Sequence, residues 1–327
     1  MKPLIYLIFS LLVIGCSSSE SPSVNFYHWK KKAVFSKEVS ETLTKCKSDK
    51  IYLHLFDVDI EPNSDETVLP KYTINQIDTI YKKLEIIPVI YITNRVFKAN
   101  VDVKHLKKKI AGLIEQIADY HAFSFREVQI DCDWSQSTRA KYFEFLTTLS
   151  SDYKLSATIR LHQVKFQKKT GVPPVEKGAL MVYNVGSIKD FDEDYILSFD
   201  IVKQYLNSET SYPLPLDIAL PIYGQSIVKS TSDSHRLINK DISKQLDDSR
   251  QFERVKTNLY KCISDTIING LYLSEDYMIK TENTNVKEVL QSYQLIKNSQ
   301  IEMDGLILYH LDNKLLKKFP INKLIQN

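Results

Sequence analysis

Residues 127–135 read Glu-Val-Gln-Ile-Asp-Cys-Asp-Trp-Ser, a short apolar run that closes on two acids spaced two apart. Side chains alternate along a strand, so Asp131 and Asp133 share one face. Seven further runs of the same kind flank this one, at 24–29, 51–60, 86–93, 155–162, 179–185, 216–223 and 305–310. Between most of them lie stretches with apolar residues three and four apart, the spacing of amphipathic helices. Ile74, Ile77, Ile80, Tyr81 and Leu84 form one such stripe, and Leu106, Ile110, Leu113, Ile114 and Ile117 another. A helix after residue 133, with Thr138 near its start, is expected to bury Tyr142, Phe143, Leu146 and Leu149. Strands alternating with helical crossovers make a parallel sheet. Eight such units predict the α/β class and a closed (β/α)8 TIM barrel.

Two places depart from the alternation. The fifth crossover, 163–177, holds Gly171, Pro173 and Pro174 and reads as a loop. The stretch between the seventh and eighth strands is far longer than an ordinary connection. It reads as a small α+β insertion at about 225–300, with a helical pattern near 246–264, a strand at 271–277 and a helix near 285–297.

In a barrel of this kind, chemistry gathers where strands end. The eight ends carry, in order, His28-Trp29; Asp57, Asp59 and Glu61; Thr93-Asn94-Arg95; Asp131, Asp133 and Trp134; Arg160 and His162; Tyr183-Asn184; Tyr223; and Tyr309-His310 with Asp312. Polar and aromatic groups thus recur where strands end, while the strand interiors are apolar. Asp131 with Asp133 is the sharpest feature, because crowding and burial raise one carboxyl's pKa and make it a proton donor. Asp57 and Asp59 form a second same-face row, which Pro62 suggests is already leaving the strand. Paired carboxyls suit glycoside hydrolysis; helix capping, or ion pairing with Arg95 or Arg160, is the structural alternative. His28, His54, His162 and His310 fall on four different strands without close ligand spacing, so no metal is expected. Eight glycines, and no GxGxxG, phosphate loop or GxSxG, leave no signal for a nucleotide or other cofactor.

The first residues carry a different message. Lys2 precedes an uncharged apolar run at 4–15, too short to span a bilayer core and suited to a signal peptide. Val13-Ile14-Gly15-Cys16 resembles the lipobox of bacterial lipoproteins, which implies cleavage before Cys16, lipid on that cysteine and a polar tether at 16–23. The expected location is the cell envelope, lipid-anchored to a bacterial membrane, with residues 24–327 as the barrel domain. Lysine plus arginine number 43 against 40 acids, a balance that does not point to nucleic acid. Cys132 is expected to be a buried free thiol, whereas Cys46 and Cys262 are left open as a pair. Oligomeric state is not legible.

Val-Gln-Ile-Asp131-Cys-Asp133-Trp134-Ser135 resembles the DxxDxDxE signature of family-18 glycoside hydrolases, the chitinase-like barrels. Met181-Val-Tyr183-Asn184 is similar to the family's MxYD, Pro221-Ile-Tyr223-Gly224 to its PxYG, and Gly305-Leu-Ile-Leu-Tyr309 to its GxxxW. Strands two to five resemble more closely a bacterial barrel family known as a domain of unknown function, through FDVD (56–59), PxxxITN (88–94), QIDxD (129–133) and LSxT (155–158). The chitinase-like resemblance implies that Asp133 and Tyr183 steady a substrate's acetamido group. It also implies a general acid at position 135, where this chain has Ser135; a hydroxyl cannot serve at neutral pH. Val128, Asn184 and Tyr309 stand where that family has Asp, Asp and Trp. Two functions follow from these residues. One is a glycoside hydrolase with a relocated acid such as Asp57 or Asp59; the other is a glycan-binding or scaffold lipoprotein without turnover. In both, a sugar ring is expected to stack on Trp134 or Tyr309, with His28, Trp29, Asn94, Arg95, Arg160, His162, Asn184, Tyr223, His310 and Asp312 lining the site.

Overall fold

The computed structural model describes residues 23–61 and 67–316, together with 319, 321 and 322. The signal peptide expected at 1–15 and the lipidation site Cys16 lie outside the described residues, as does all of the tether except Ser23.

Eight parallel strands close on themselves: β1 (Val24–His28), β2 (Lys50–Ile60), β3 (Glu85–Ile92), β4 (Glu127–Asp131), β5 (Lys154–Arg160), β6 (Lys177–Met181), β7 (Leu216–Pro221) and β8 (Met303–Tyr309). Each pairs with its sequence neighbours, and β1 closes the ring by pairing with both β8 (Val24 opposite Leu306) and β2 (Phe26 opposite Ile51). The crossovers carry α1 (Lys37–Lys45), α2 (Asn94–Lys98), α3 (Val103–His121), α4 (Arg139–Leu149), α5 (Leu161–Lys165), α6 (Gln167–Thr170) and α7 (Phe199–Tyr205). This is the (β/α)8 barrel expected from the alternating runs. Helix starts are set by side chains that accept orphan backbone N–H groups, as Ser36 does for α1, Asp102 for α3 and Ser198 for α7. Helix α3 buries Val103, Leu106, Ile110, Ile114 and Ile117, each contributing roughly 1.5–3 kcal/mol of apolar burial.

Strand alternation sorts the barrel into two cores. Val128, Ile130 and Cys132 face the helices, as do Val24, Phe26, Ile90 and Ile159. Tyr27, Tyr52, Val89, Met181, Tyr183 and Ile307 fill the lumen. Cys46, Cys132 and Cys262 are all buried free thiols, so the open pairing of Cys46 with Cys262 does not form.

Between β7 and β8 stands the insertion. Its core is a five-stranded antiparallel sheet, Gly224–Lys229, His235–Ile238, Phe252–Lys256, Leu259–Cys262 and Met278–Asn283, with α8 (Ser243–Asp247) against it. At Gly224, where the chain leaves the rim, an added Cβ would collide with the Asn283 side chain. Helix α9 (Val286–Lys297) packs on α7 and β7 and belongs to the barrel wall; α10 (Asn313–Leu316) follows β8.

Several local expectations are corrected. The stripe from Ile74 to Leu84 is not an α-helix. Gln76–Ile77 pairs with Lys32–Ala33, and only a 3-10 turn, Tyr81–Lys83, follows. Ile74, Ile77 and Tyr81 are buried all the same, so their spacing reports a buried side of an extended segment. Residues 246–264 form mainly a hairpin, Phe252–Lys256 with Leu259–Cys262, and the strand expected at 271–277 is only Leu271–Leu273. The fifth crossover folds into α5 and α6 before its proline-rich turn, which moves His162 off the strand and onto an exposed helix position. In α4, Phe145 takes the buried place expected of Phe143, which is half-buried.

Candidate functional site

At the C-terminal rim the lumen ends in a cluster of rings. Trp29 stacks on His54 (centroids 4.4 Å apart), Tyr183 stacks on Tyr309 (4.9 Å), and Tyr223 meets Tyr309 edge-on (5.3 Å). Trp29, Tyr223 and Tyr309 also border a cavity of about 640 Å3 whose far wall is the insertion. That wall is rich in amides and charges: Gln225, Asn239, Lys240, Asp241, Gln245 and Asn283. On the barrel side Asn184 accepts from the Tyr223 hydroxyl, and His310 and Asp312 complete the border.

Asp131 closes β4 and Asp133 follows two residues on, facing the same way as alternation requires, but the two differ in state. Asp131 is buried and accepts from Thr158 Oγ1 at 2.7 Å. Burial, and then the neighbouring Asp133, push its carboxyl up to about 6, against the opposing pull of Thr158, Arg160 and His54. Asp133 is half exposed and gripped on both oxygens by Arg160, Nε to Oδ1 at 2.6 Å and the second nitrogen to Oδ2 at 3.0 Å. Arg160 also donates to the Tyr183 carbonyl at 3.3 Å, tying the pair to β6.

The acids of β2 are likewise engaged. Asp57 meets His54 Nε2 at 2.7 Å. Asp59 accepts from Thr93, Lys71 and Arg95; burial alone would raise its pKa, yet these bonds hold it at about 2. Asp59 and Arg95 thus form a structural ion pair on the outer stretch of β2. Asn94 accepts from Thr138 at 2.6 Å, joining two loops, and Asp312 is ion-paired with Lys30.

Three expected residues lie elsewhere. Trp134 is fully buried outside the lumen, stacked on Tyr142 with its Nε1 donating to the Thr170 carbonyl at 3.0 Å. It cannot offer a face to a sugar. His28 points to the helical layer against Tyr81, its Nε2 3.1 Å from the Lys32 carbonyl; burial, then His310, push it down to about 4. His162 stands on α5, exposed, near enough to Asp133 and Arg160 to sense both charges but bonded in no ring of the cluster. Ser135, at the position the chitinase-like pattern gives to the acid, sits in the turn before α4, its Oγ within 3.2 Å of Thr138 Oγ1.

Other rim and lumen groups were not anticipated. Tyr91 on β3 senses Asp131, Asp133 and Asp57 together, and the Tyr27 hydroxyl donates to Gln129 inside the lumen. Both share the inward parity of their strands, a signal present in the sequence. Among the described residues no group of three or more His, Cys, Asp or Glu is arranged to hold a metal ion.

No family model matches the chain, and no curated protein matches it. Among solved structures it is similar to the spore cortex-lytic enzyme SleL of Bacillus cereus, at 13% identity over 91% of this chain and 74% of that one (TM-score 0.48). A family-18 (GH18) chitinase from Cycas revoluta in complex with (GlcNAc)4 is 10% identical over 93% of this chain and 100% of its own (TM-score 0.48). A class V chitinase from Nicotiana tobaccum is 10% identical over 91% and 97% (TM-score 0.45). At such identity the likeness concerns the fold alone.

Proposed function

We propose that this protein is an envelope lipoprotein, anchored by acyl chains on Cys16, whose barrel rim binds a glycan without cleaving it by the chitinase-like route. The state of Asp133 is the observation that carries this reading. Both its oxygens are taken by Arg160, and the neighbouring position that would need a proton donor is Ser135, turned to Thr138. The rings of Trp29, Tyr223 and Tyr309, the last backed by buried Tyr183, remain beside an open cavity with an amide-rich wall, the equipment of sugar stacking and hydroxyl recognition.

One observation favours hydrolysis instead. The Asp131 carboxyl, pushed up to about 6, is partly protonated near neutrality and is a proton donor in the lumen. In that reading Asp131 is the relocated acid and Asp57 the second carboxylate.

Titration with chitin-type and other oligosaccharides, followed by both intrinsic fluorescence and product release, separates the two. The chain has two tryptophans, and Trp29 is the one at the cavity. The expected result is a fluorescence change on binding without product. Trp29→Ala should weaken affinity at least tenfold, about 1.4 kcal/mol. Product formation lost in Asp131→Asn establishes the hydrolase reading, and neither binding nor product on a broad panel overturns both.

A further inference from the structure

The strand that follows the tether enters the barrel at one definite end. The Val24 N–H donates to the Cys46 carbonyl at 3.0 Å, Ser48 Oγ donates to the Val24 carbonyl, and Asn25 bonds Asp49. These contacts fix the start of β1 on the N-terminal face of the barrel, opposite the rim that holds Asp131, Tyr309 and the cavity. Seven residues separate Cys16 from Val24, and the eight steps between them reach at most about 29 Å when fully extended. The tether therefore emerges at the N-terminal face, the end of the barrel nearest the anchor.

The surface around that start suits a membrane. Lys45, Lys47, Lys50, Lys82, Lys83 and Arg126 stand on the adjoining segments that lead into β2, β3 and β4, against the exposed acids Asp49, Glu85 and Asp119. The segments touch, the Glu85 N–H donating to the Asp49 carbonyl at 2.9 Å. Among the cations lie exposed Tyr120 and half-buried Phe123 and Phe125, and a groove of about 450 Å3 runs between Lys82, Phe125 and Arg126. Cations beside amphipathic rings are what an anionic headgroup layer attracts. We infer that this N-terminal face rests against an anionic bilayer and that the glycan cavity opens away from it. The inference rests on the reading of Cys16 as an acylated anchor.

The test uses the full acylated chain in vesicles of phosphatidylcholine with or without phosphatidylglycerol, containing a headgroup quencher. A dye is placed at Ser124→Cys on the N-terminal face or at Asn239→Cys on the insertion; the three native thiols are buried and label slowly. The Ser124 dye should be quenched at least threefold more than the Asn239 dye. Charge reversal (Lys82→Glu, Lys83→Glu, Arg126→Glu, with unchanged Tm) should roughly halve that quenching on phosphatidylglycerol vesicles and leave it unchanged on phosphatidylcholine alone. Equal quenching of the two dyes on a chain shown by mass to be acylated overturns the orientation and spares the anchor. A chain processed without acylation overturns both, and quenching indifferent to charge reversal overturns the headgroup contact.

Discussion

The two ends of the lumen use the same residue types and resolve their charges differently. At the N-terminal end, Lys177 Nζ lies 2.9 Å from Asp217, 3.2 Å from Asp304 and 3.8 Å from Glu127, while the Tyr52 hydroxyl donates to Asp217 at 2.7 Å. One cation there is shared by three carboxylates and plugs the barrel floor. At the rim, Arg160 serves Asp133, and Asp131 has no ion-pair partner among the described residues. The floor is an electrostatic closure; the rim keeps a carboxyl whose pKa burial raises to about 6 and sets it near the rings that close the lumen. Barrel enzymes and binders place stability and chemistry at these opposite faces.

The largest expected effect lies at the floor. Lys177→Met leaves Asp217 and Glu127 buried without their shared cation and should cost about 3–5 kcal/mol of stability, with glycan affinity per folded molecule unchanged. Denaturant unfolding measures it; a loss below about 1 kcal/mol would show that the floor is no closure. Asp131→Asn should act in the opposite direction. A carboxyl whose folded pKa lies above its unfolded value binds its proton more tightly when folded, so it loses stability as pH rises from about 4 through 6. Lifting it from 3.8 to about 6 corresponds to roughly 3 kcal/mol above that window. The Asn variant should match wild type below pH 4 and equal or exceed it above pH 6. Thermal unfolding across pH checks this, and a variant less stable at pH 7 than at pH 4 relative to wild type would be evidence against a strained carboxyl.

Much of the barrel was legible because parallel strands covered on both faces read as apolar runs whatever their order. Parity then placed Asp131 and Asp133 inward. The same parity turns Trp134 and His28 outward, since each stands one residue from an inward neighbour, Asp133 in one case and Tyr27 in the other. Their assignment to the site contradicted alternation. The Ile74–Leu84 stripe misled for another reason: its partner strand, Lys32–Ala33, is two residues long and leaves no periodic signature. What no local pattern carries is which acid is paired. That Arg160 reaches Asp133 depends on the register of β4 against β5, Gln129 opposite Ser156 and Ile130 opposite Ala157. The amide wall of the insertion has no motif at all.

The smallest effect isolates that register. Arg160→Gln removes the partner of Asp133, but the pair is partly exposed, with 22% and 46% of the two side chains accessible. Solvent screens such a pair, so its loss should cost only about 1 kcal/mol. The consequence for Asp131 is more telling. Arg160 is one of the influences that lower its pKa, so removing the guanidinium should move the Asp131 titration upward from about 6. The window over which stability falls would then extend to higher pH, starting as before near the unfolded value and ending later. Carbon-detected NMR of the Asp131 carboxyl, with unfolding at several pH values, measures both. If its titration stays put, the two acids are electrostatically separate, and the rim, unlike the floor with its shared cation, is a set of independent groups.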